Sequence, residues 1–379
     1  MKGSVRKKGN YWYYCFDVGV VDGKRKRIER KGGSTKKEAE KALRKALAEF
    51  DNCGSVIDES SISVADYFDY WYKEYVTINC KYNTQLNYAR VISHHIKPTL
   101  GIYKLKSLTP AVLQEFLNKK YRNGFAKNTL GNFYGVLSGA LKKAVYPYQL
   151  IKENPMTYVT MPKYNNSVTD KNDLKIINLD DFNKIITRFP KGSNFYIPLQ
   201  IAFNTGMRAA EVCGLTWDCV DLEKRTITVE KIIIYKDKEW VFGTPKTKSS
   251  NRTILIGDTL LKILKYHKKN QMENRLKYGK YYTDSDFVCT KENGELLSTD
   301  SLKYLSRVVN YELRINFNFH SLRHTHATML LEAGANIKDI QQRLGHSKLA
   351  TTMDTYSHVT NKLKMDSVDK FESVISSIK

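Results

Sequence analysis

The chain has 379 residues, with 62 Lys and Arg against 39 Asp and Glu, a formal net charge of +23 and a pI near 9.5. That length admits two or three domains with sizeable cores, and the charge excess points to a polyanionic partner, for which nucleic acid is the default. No apolar run reaches the roughly 18 residues of a membrane span, and the start Met1-Lys2-Gly3-Ser4 lacks a signal peptide's apolar stretch. The six cysteines, at positions 15, 53, 80, 213, 219 and 289, form no zinc-type spacing, so the expectation is a cytoplasmic protein with reduced thiols.

Residues 1–50 hold fifteen Lys or Arg against six Asp or Glu. Tyr11 to Val18 reads as an aromatic strand and Lys24 to Arg30 as a basic one. Asp22-Gly23 reads as the hairpin turn between them, since glycine tolerates the positive φ such turns need. Thr35-Lys36-Lys37-Glu38 matches a capping box, and Ala39, Leu43, Ala46, Leu47 and Phe50 follow at helical spacing. A small sheet packed on one helix is therefore expected over residues 1–55. A charge run alone is a solvated surface. Here Tyr11, Trp12, Tyr13 and Tyr14 accompany it, and cationic plus aromatic side chains on one sheet suit DNA contact.

The polar stretch Asn52 to Ser63 reads as a linker. Val64, Phe68, Trp71 and Tyr75 mark one amphipathic helix, and Tyr82 to His94 a second. Lys104 to Pro110 connects into a third, with Pro110 in its first turn, where no amide hydrogen is needed. Asn128 is expected to cap a fourth, with Leu130, Phe133, Leu137 and Leu141 on its apolar face. Residues 64–160 thus read as an all-α domain.

Pro155, Pro162 and polar Lys163 to Asp173 form a second linker. From Ile176 the pattern mixes helix and strand. Ile197 to Ala202 is apolar and helical, breaking at Thr205-Gly206, whereas Arg225 to Tyr235 and Lys238 to Ile256 alternate as strands do. Helices resume at Leu260 and near Ser301, Leu322 and Ile337. The fold class is multidomain and mixed α and β: a small sheet-plus-helix module, a helical domain, and a mainly α domain with a small β-sheet at 174–379.

The chemistry-bearing residues lie in this last part. Arg208 follows the break at Gly206, with Glu211 one turn on, a spacing that lets the carboxylate hold the guanidinium. His320 and Arg323 sit at i and i+3 on one helix face. Leu344-Gly345-His346 comes next, and Tyr356 ten residues after His346. Each feature alone is modest.

Together, in this order and spacing, they resemble the catalytic domain of the tyrosine-recombinase (phage integrase) family. The resemblance covers nearly the whole chain. Residues 64–155 are similar to a helical core-binding domain, with His95-Ile96-Lys97-Pro98 and Leu100-Gly101 in familiar places, and residues 1–50 to an arm-type DNA-binding module. Three-domain integrases of conjugative transposons and temperate phages of Gram-positive bacteria share this plan.

The resemblance implies that Arg208 and Arg323 neutralise the phosphate, Tyr356 is the nucleophile, and His320 and His346 assist with protons and hydrogen bonds. It implies a lysine in a hairpin turn as donor to the leaving 5′-oxygen, here Lys246 in Pro245-Lys246-Thr247-Lys248, with Lys248 as the alternative. No cofactor or metal is called for. The implied partners are double-stranded DNA at core and arm sites and three further copies of the chain, with an excisionase and a DNA-bending protein admitted beside them. Beyond Tyr356, Met365, Val368, Phe371, Val374, Ile375 and Ile378 recur at helical spacing. Family resemblance implies that this tail docks on a neighbouring subunit.

Three rivals bear comparison. His320, His324 and His326 could suggest a metallohydrolase, but no HExxH glutamate accompanies them. A non-enzymatic DNA-binding protein explains the charge and leaves the Arg, His and Tyr series without a role. A type IB topoisomerase shares the chemistry but has no use for an arm-type module.

Overall fold

Three antiparallel strands open the chain: β1 (Gly3–Lys8), β2 (Tyr11–Val21) and β3 (Lys24–Gly33), in the order β1-β2-β3. The computed structural model describes residues 3–21, 24–53, 62–164, 175–245 and 248–347, with Glu372 and Ser376, and its chain falls into two compact units, Met1–Asn166 and Ser167–Lys379. Among the described residues no helix is long and apolar enough to cross a membrane.

Strand pairing runs out to Val21 opposite Lys24; the expected turn residues Asp22 and Gly23 lie outside the described residues. Strand β1 is an addition to the sequence reading. Its basic, mostly exposed Arg6, Lys7 and Lys8 show no clear alternation because it is an edge strand. Helix α1 (Lys36–Cys53) covers the sheet, with Tyr14, Phe16, Leu43 and Ala46 buried between them. Its capping box forms as expected: the Glu38 amide donates to Thr35 Oγ1 at 3.3 Å, and Glu38 Oε2 accepts from the amides of Ser34 and Thr35 at 2.8 and 3.2 Å. Period-2 alternation moves Tyr14 from the expected exposed face into the core. Tyr11 remains outside, with Lys31 Nζ 3.1 Å from its ring centroid.

The helical part starts at α2 (Val64–Trp71), capped by Ser63 Oγ, which accepts from the Asp66 amide at 3.0 Å. A π turn (Tyr72–Val76) leads into α3 (Thr77–Asn79). Helix α4 (Tyr82–Val91) runs through a second π turn (Ile92–Ile96) into α5 (Lys97–Leu100). Helix α6 (Pro110–Arg122) begins at Pro110 with Thr109 as its cap, as expected. Helix α7 (Lys127–Val145) begins two residues earlier than expected. Its first carbonyl is that of Ala126, which accepts from the Thr129 and Leu130 amides, so Asn128 lies inside the first turn and is not the cap. These helices share one core, in which Trp71 stacks between Tyr75 and Tyr88 at ring-centroid distances of 6.2 and 5.8 Å.

In the second unit, α8 (Leu179–Arg188), α9 (Tyr196–Thr205) and α10 (Ala209–Cys213) precede the strands. Strands β4 (Val220–Asp221), β5 (Thr226–Val229) and β8 (Arg252–Leu255) form one antiparallel sheet, while β6 (Ile232–Lys236) and β7 (Glu239–Gly243) form a separate hairpin. Four α-helices follow among the described residues up to Ser347: α11 (Asp258–Tyr278), α12 (Thr299–Glu312), α13 (Ser321–Glu332) and α14 (Ile337–Leu344). Helix α9 is buried around most of its circumference, which explains why apolar residues occupy more than one of its faces. It stops at Gly206, whose φ of +68° is left-handed. A Cβ there would lie 2.6 Å from Leu344 Cδ2 and 3.0 Å from His326 Cδ2, so glycine lets the end of α9 meet α13 and α14.

Candidate active site

The break at Gly206 delivers Arg208 to the start of α10. Arg208 donates its amide to Glu211 Oε2 at 3.0 Å and Nη1 to Glu211 Oε1 at 2.7 Å, so the expected pair forms. Glu211 is only 2% exposed and also accepts from Arg252 Nη2 at 2.9 Å. Burial alone would raise its pKa; the charges and hydrogen bonds of Arg252 and Arg208 outweigh that and hold the carboxyl below its usual range.

Arg323, 1% exposed on α13, donates Nη1 to the Gly206 carbonyl at 2.8 Å and Nη2 to the Leu344 carbonyl at 2.6 Å. The neighbouring carbonyls are held in the same way. Arg252 Nε donates to Arg343 O at 2.6 Å, and Arg208 Nη2 to Gly345 O at 3.4 Å. Three guanidinium groups thus meet three consecutive carbonyls at the end of α14. Those carbonyls lack intrahelical partners and carry the negative end of the helix dipole. Gly345 closes the helix with φ +69°, and His346 follows directly.

His320 immediately precedes α13, and its ring lies 4.8 Å from that of His324, edge to face. Although His320 keeps exposed surface, desolvation of its ring pushes the pKa down to about 4, aided by His324, Arg323 and Arg208. Desolvation also pushes His346 down to about 4, with Arg323, Arg208, His320 and His324 adding to it. The structure therefore brings Arg208, His320, Arg323 and His346 into one electrostatic cluster, with both histidines neutral at pH 7.

His326 faces elsewhere. Its Nδ1 lies 2.8 Å from Phe203 O and its Nε2 accepts from Arg343 Nε at 3.0 Å, which requires the Nδ1–H tautomer. With both ring nitrogens engaged, His326 does not join His320 and His324 as a ligand set. Among the described residues, metal-type donors cluster at Asp218, Cys219 and Glu230. Lys231 already serves as their cation, with Nζ 2.7 Å from Asp218 Oδ2 and 3.7 Å from Glu230 Oε1.

Tyr356, Lys246 and the tail around Met365 to Ile378 fall outside the described residues, apart from Glu372 and Ser376. Strand β7 pairs with β6 and β8 pairs with β5, so the chain passes from one sheet to the other between β7 and β8, where Lys246 and Thr247 lie outside the described residues. The turn of the β6–β7 hairpin is Asp237-Lys238, both at positive φ. Lys248 opens a 3-10 turn, Lys248–Ser250. Sequence reasoning also missed Arg252 and Arg343. The available signal for Arg252 was an arginine in register with buried Ile254 on β8.

Two buried or half-buried arginines and two neutral histidines thus gather around one helix end in a mainly helical unit. Residues 174–362 match the phage integrase family, residues 63–121 its N-terminal SAM-like domain, and residues 4–50 an arm DNA-binding domain. The chain is 30% identical to a tyrosine recombinase XerC-like protein of Caldanaerobacter subterraneus subsp. tengcongensis, covering 96% of this chain and 98% of that one. It is 27% identical to the ICEBs1 integrase of Bacillus subtilis over 98% and 100% of the two chains. The fold is similar to that of the Tn1549 transposon integrase solved with a circular intermediate DNA, at TM-score 0.66 and 22% identity over 81% of this chain and 100% of that one. The chain belongs to the phage integrase family and is a tyrosine-type site-specific recombinase.

Proposed function

We propose that the protein is the integrase of a mobile element and recombines double-stranded DNA through a 3′-phosphotyrosine at Tyr356 and a Holliday junction, without ATP. The observation that carries this reading is the convergence of Arg208, His320, Arg323 and His346 at the end of α14. In the proposed step the Tyr356 phenolic oxygen attacks phosphorus, and the bond to the 5′-oxygen breaks. Arg208 and Arg323 neutralise charge on the non-bridging oxygens, since guanidinium groups are planar and permanently charged. Neutral His346 donates a hydrogen bond to the phosphate, and neutral His320 accepts the tyrosine proton. Lys246 gives its proton to the leaving 5′-oxygen, with Lys248 as the alternative. The phosphodiester energy stays in the tyrosyl ester, so the reverse attack by a 5′-hydroxyl reseals the strand.

In this reading residues 1–55 bind arm sites through the basic and aromatic outer face bearing Tyr11 and Lys31. Residues 64–160 bind core sites, residues 174–379 hold the chemistry, and four cytoplasmic copies joined by the carboxy-terminal tail form the synapse, leaving room for an excisionase and a DNA-bending protein. The sequence relatives are recombinases and integrases, which favours this reading over strand relaxation by a type IB topoisomerase. The test is to incubate the protein with a nicked duplex bearing the element's joined ends, in excess EDTA, and to look for a covalent adduct on a denaturing gel. An adduct is expected. Its absence in EDTA with restoration by zinc or magnesium would overturn the metal-independent mechanism.

A further inference from the structure

We propose that Arg252 is a positioning residue whose charge keeps Arg208 available to the DNA phosphate. The inference rests on the reading of Arg208 as a phosphate ligand and assigns a task to a residue that does not itself touch substrate.

The Arg252 side chain is 6% exposed, and all its described hydrogen bonds go to protein groups beside the site. Nη2 donates to Glu211 Oε2 at 2.9 Å, Nε to Arg343 O at 2.6 Å and Nη1 to Ser250 O at 3.0 Å. The fit is close: a Cβ on Gly345 would sit 3.2 Å from both Cδ and Nη1 of Arg252. A rigid planar fork meets three such acceptors from three segments at once.

Charge decides what this does. Glu211 is a buried carboxylate lying between Arg252 and Arg208, the latter 35% exposed. With both arginines present, one cation balances Glu211 and a net positive charge remains at Arg208 for an incoming phosphate. Without Arg252, Glu211 is left with Arg208 as its only ion-pair partner among the described residues. A buried carboxylate with one partner binds it tightly, because the low dielectric strengthens the pair and leaving the charge uncompensated is costly. Arg208 is then drawn inward and neutralised.

The experiment measures single-turnover cleavage of the same nicked duplex by four variants, with thermal melting and filter binding to the DNA as checks on folding. Arg252→Met is expected to cleave roughly 100-fold slower than the parent, in the range seen when a transition-state donor is lost. Arg252→Lys keeps the charge and is expected within roughly 10-fold of the parent. The deciding variant is the double substitution Arg252→Met with Glu211→Gln. It removes the buried charge that captures Arg208 and is expected to cleave faster than Arg252→Met alone. A merely structural Arg252 predicts the reverse, since the double variant loses one more contact. Arg252→Lys as slow as Arg252→Met, or a double variant no faster than the single, overturns the proposal. If Arg252→Met fails to fold, Arg252→Gln, equally uncharged, replaces it in both the single and the double variant. Arg208→Ala serves as the fourth variant: cleavage at the parental rate there would overturn the phosphate-ligand reading itself, a failure distinct from the first.

Discussion

The Arg323 guanidinium donates to the carbonyl of Leu344 at 2.6 Å, fastening the first turn of the helix that bears it to the end of the next helix. The same side chain donates to Gly206 O at 2.8 Å. Arg323→Ala removes donors from two carbonyls in a buried setting, and should cost about 2–4 kcal/mol of stability in addition to abolishing cleavage. Urea denaturation measures the first effect. Loss of cleavage with unchanged stability would mean that these carbonyl bonds contribute little to the fold.

Gly206 makes a paired comparison with Gly124. Both have positive φ, +68° and +80°, but a Cβ on Gly206 meets Leu344 and His326, whereas one on Gly124 meets nothing within 4 Å. Gly124→Ala should cost about 1 kcal/mol, from backbone strain alone. Gly206→Ala adds steric displacement of the α14 end and should cost about 3 kcal/mol while slowing cleavage. Equal melting temperatures for the two variants would contradict this.

His326 makes stability depend on pH in a defined direction. Burial first, and the nearby Arg343 charge second, push its pKa down to about 4 from an ordinary value of 6.5. Between those values the unfolded chain holds the extra proton. The stability contributed by neutral His326 is therefore complete above pH 6.5 and is lost as pH falls toward 4. His320 and His346 shift in the same direction and steepen the fall. Melting temperature should drop from pH 7 to pH 4.5. His326→Gln should start lower at pH 7 and fall less steeply; a slope equal to the parent's would exclude His326 as a source.

The lysine donor can be located by leaving-group chemistry. A bridging 5′-sulfur leaves without general-acid help, so a variant lacking the donor should recover cleavage on that substrate. Lys246→Ala is expected to recover. Recovery confined to Lys248→Ala, or to the hairpin-turn variant Lys238→Ala, would reassign the role.

How much of this was legible in the sequence depends on the range of the interactions. The helix stop at Gly206, the Arg208–Glu211 pair and the His320–Arg323 face are set within four residues and follow from local spacing. The cluster at the end of α14 depends on contacts such as Arg323 with Gly206 and Arg252 with Arg343, separated by 117 and 91 positions. No periodicity encodes those. Strand β1 escaped notice because an exposed edge strand needs no apolar alternation, and Tyr14 was misplaced because four consecutive aromatics hide which of them face inward. Asn128 was misread as a cap because its side chain suits that role; the polypeptide turns two residues earlier, at Ala126. Alternating segments from Arg225 to Ile256 announced strands but not their partners, so the split into a β4-β5-β8 sheet and a separate β6-β7 hairpin was not legible.

The central claim is that Tyr356 becomes joined to DNA, and mass spectrometry of the trapped adduct tests it most directly. After cleavage of the nicked duplex, the protein is digested with nuclease and protease and the peptide carrying a nucleotide remnant is sequenced. The account predicts the remnant on Tyr356, and no adduct from Tyr356→Phe, which keeps the ring and should still bind DNA. A remnant on another residue, such as exposed Tyr304 or Tyr311, or an undiminished adduct from Tyr356→Phe, would contradict it.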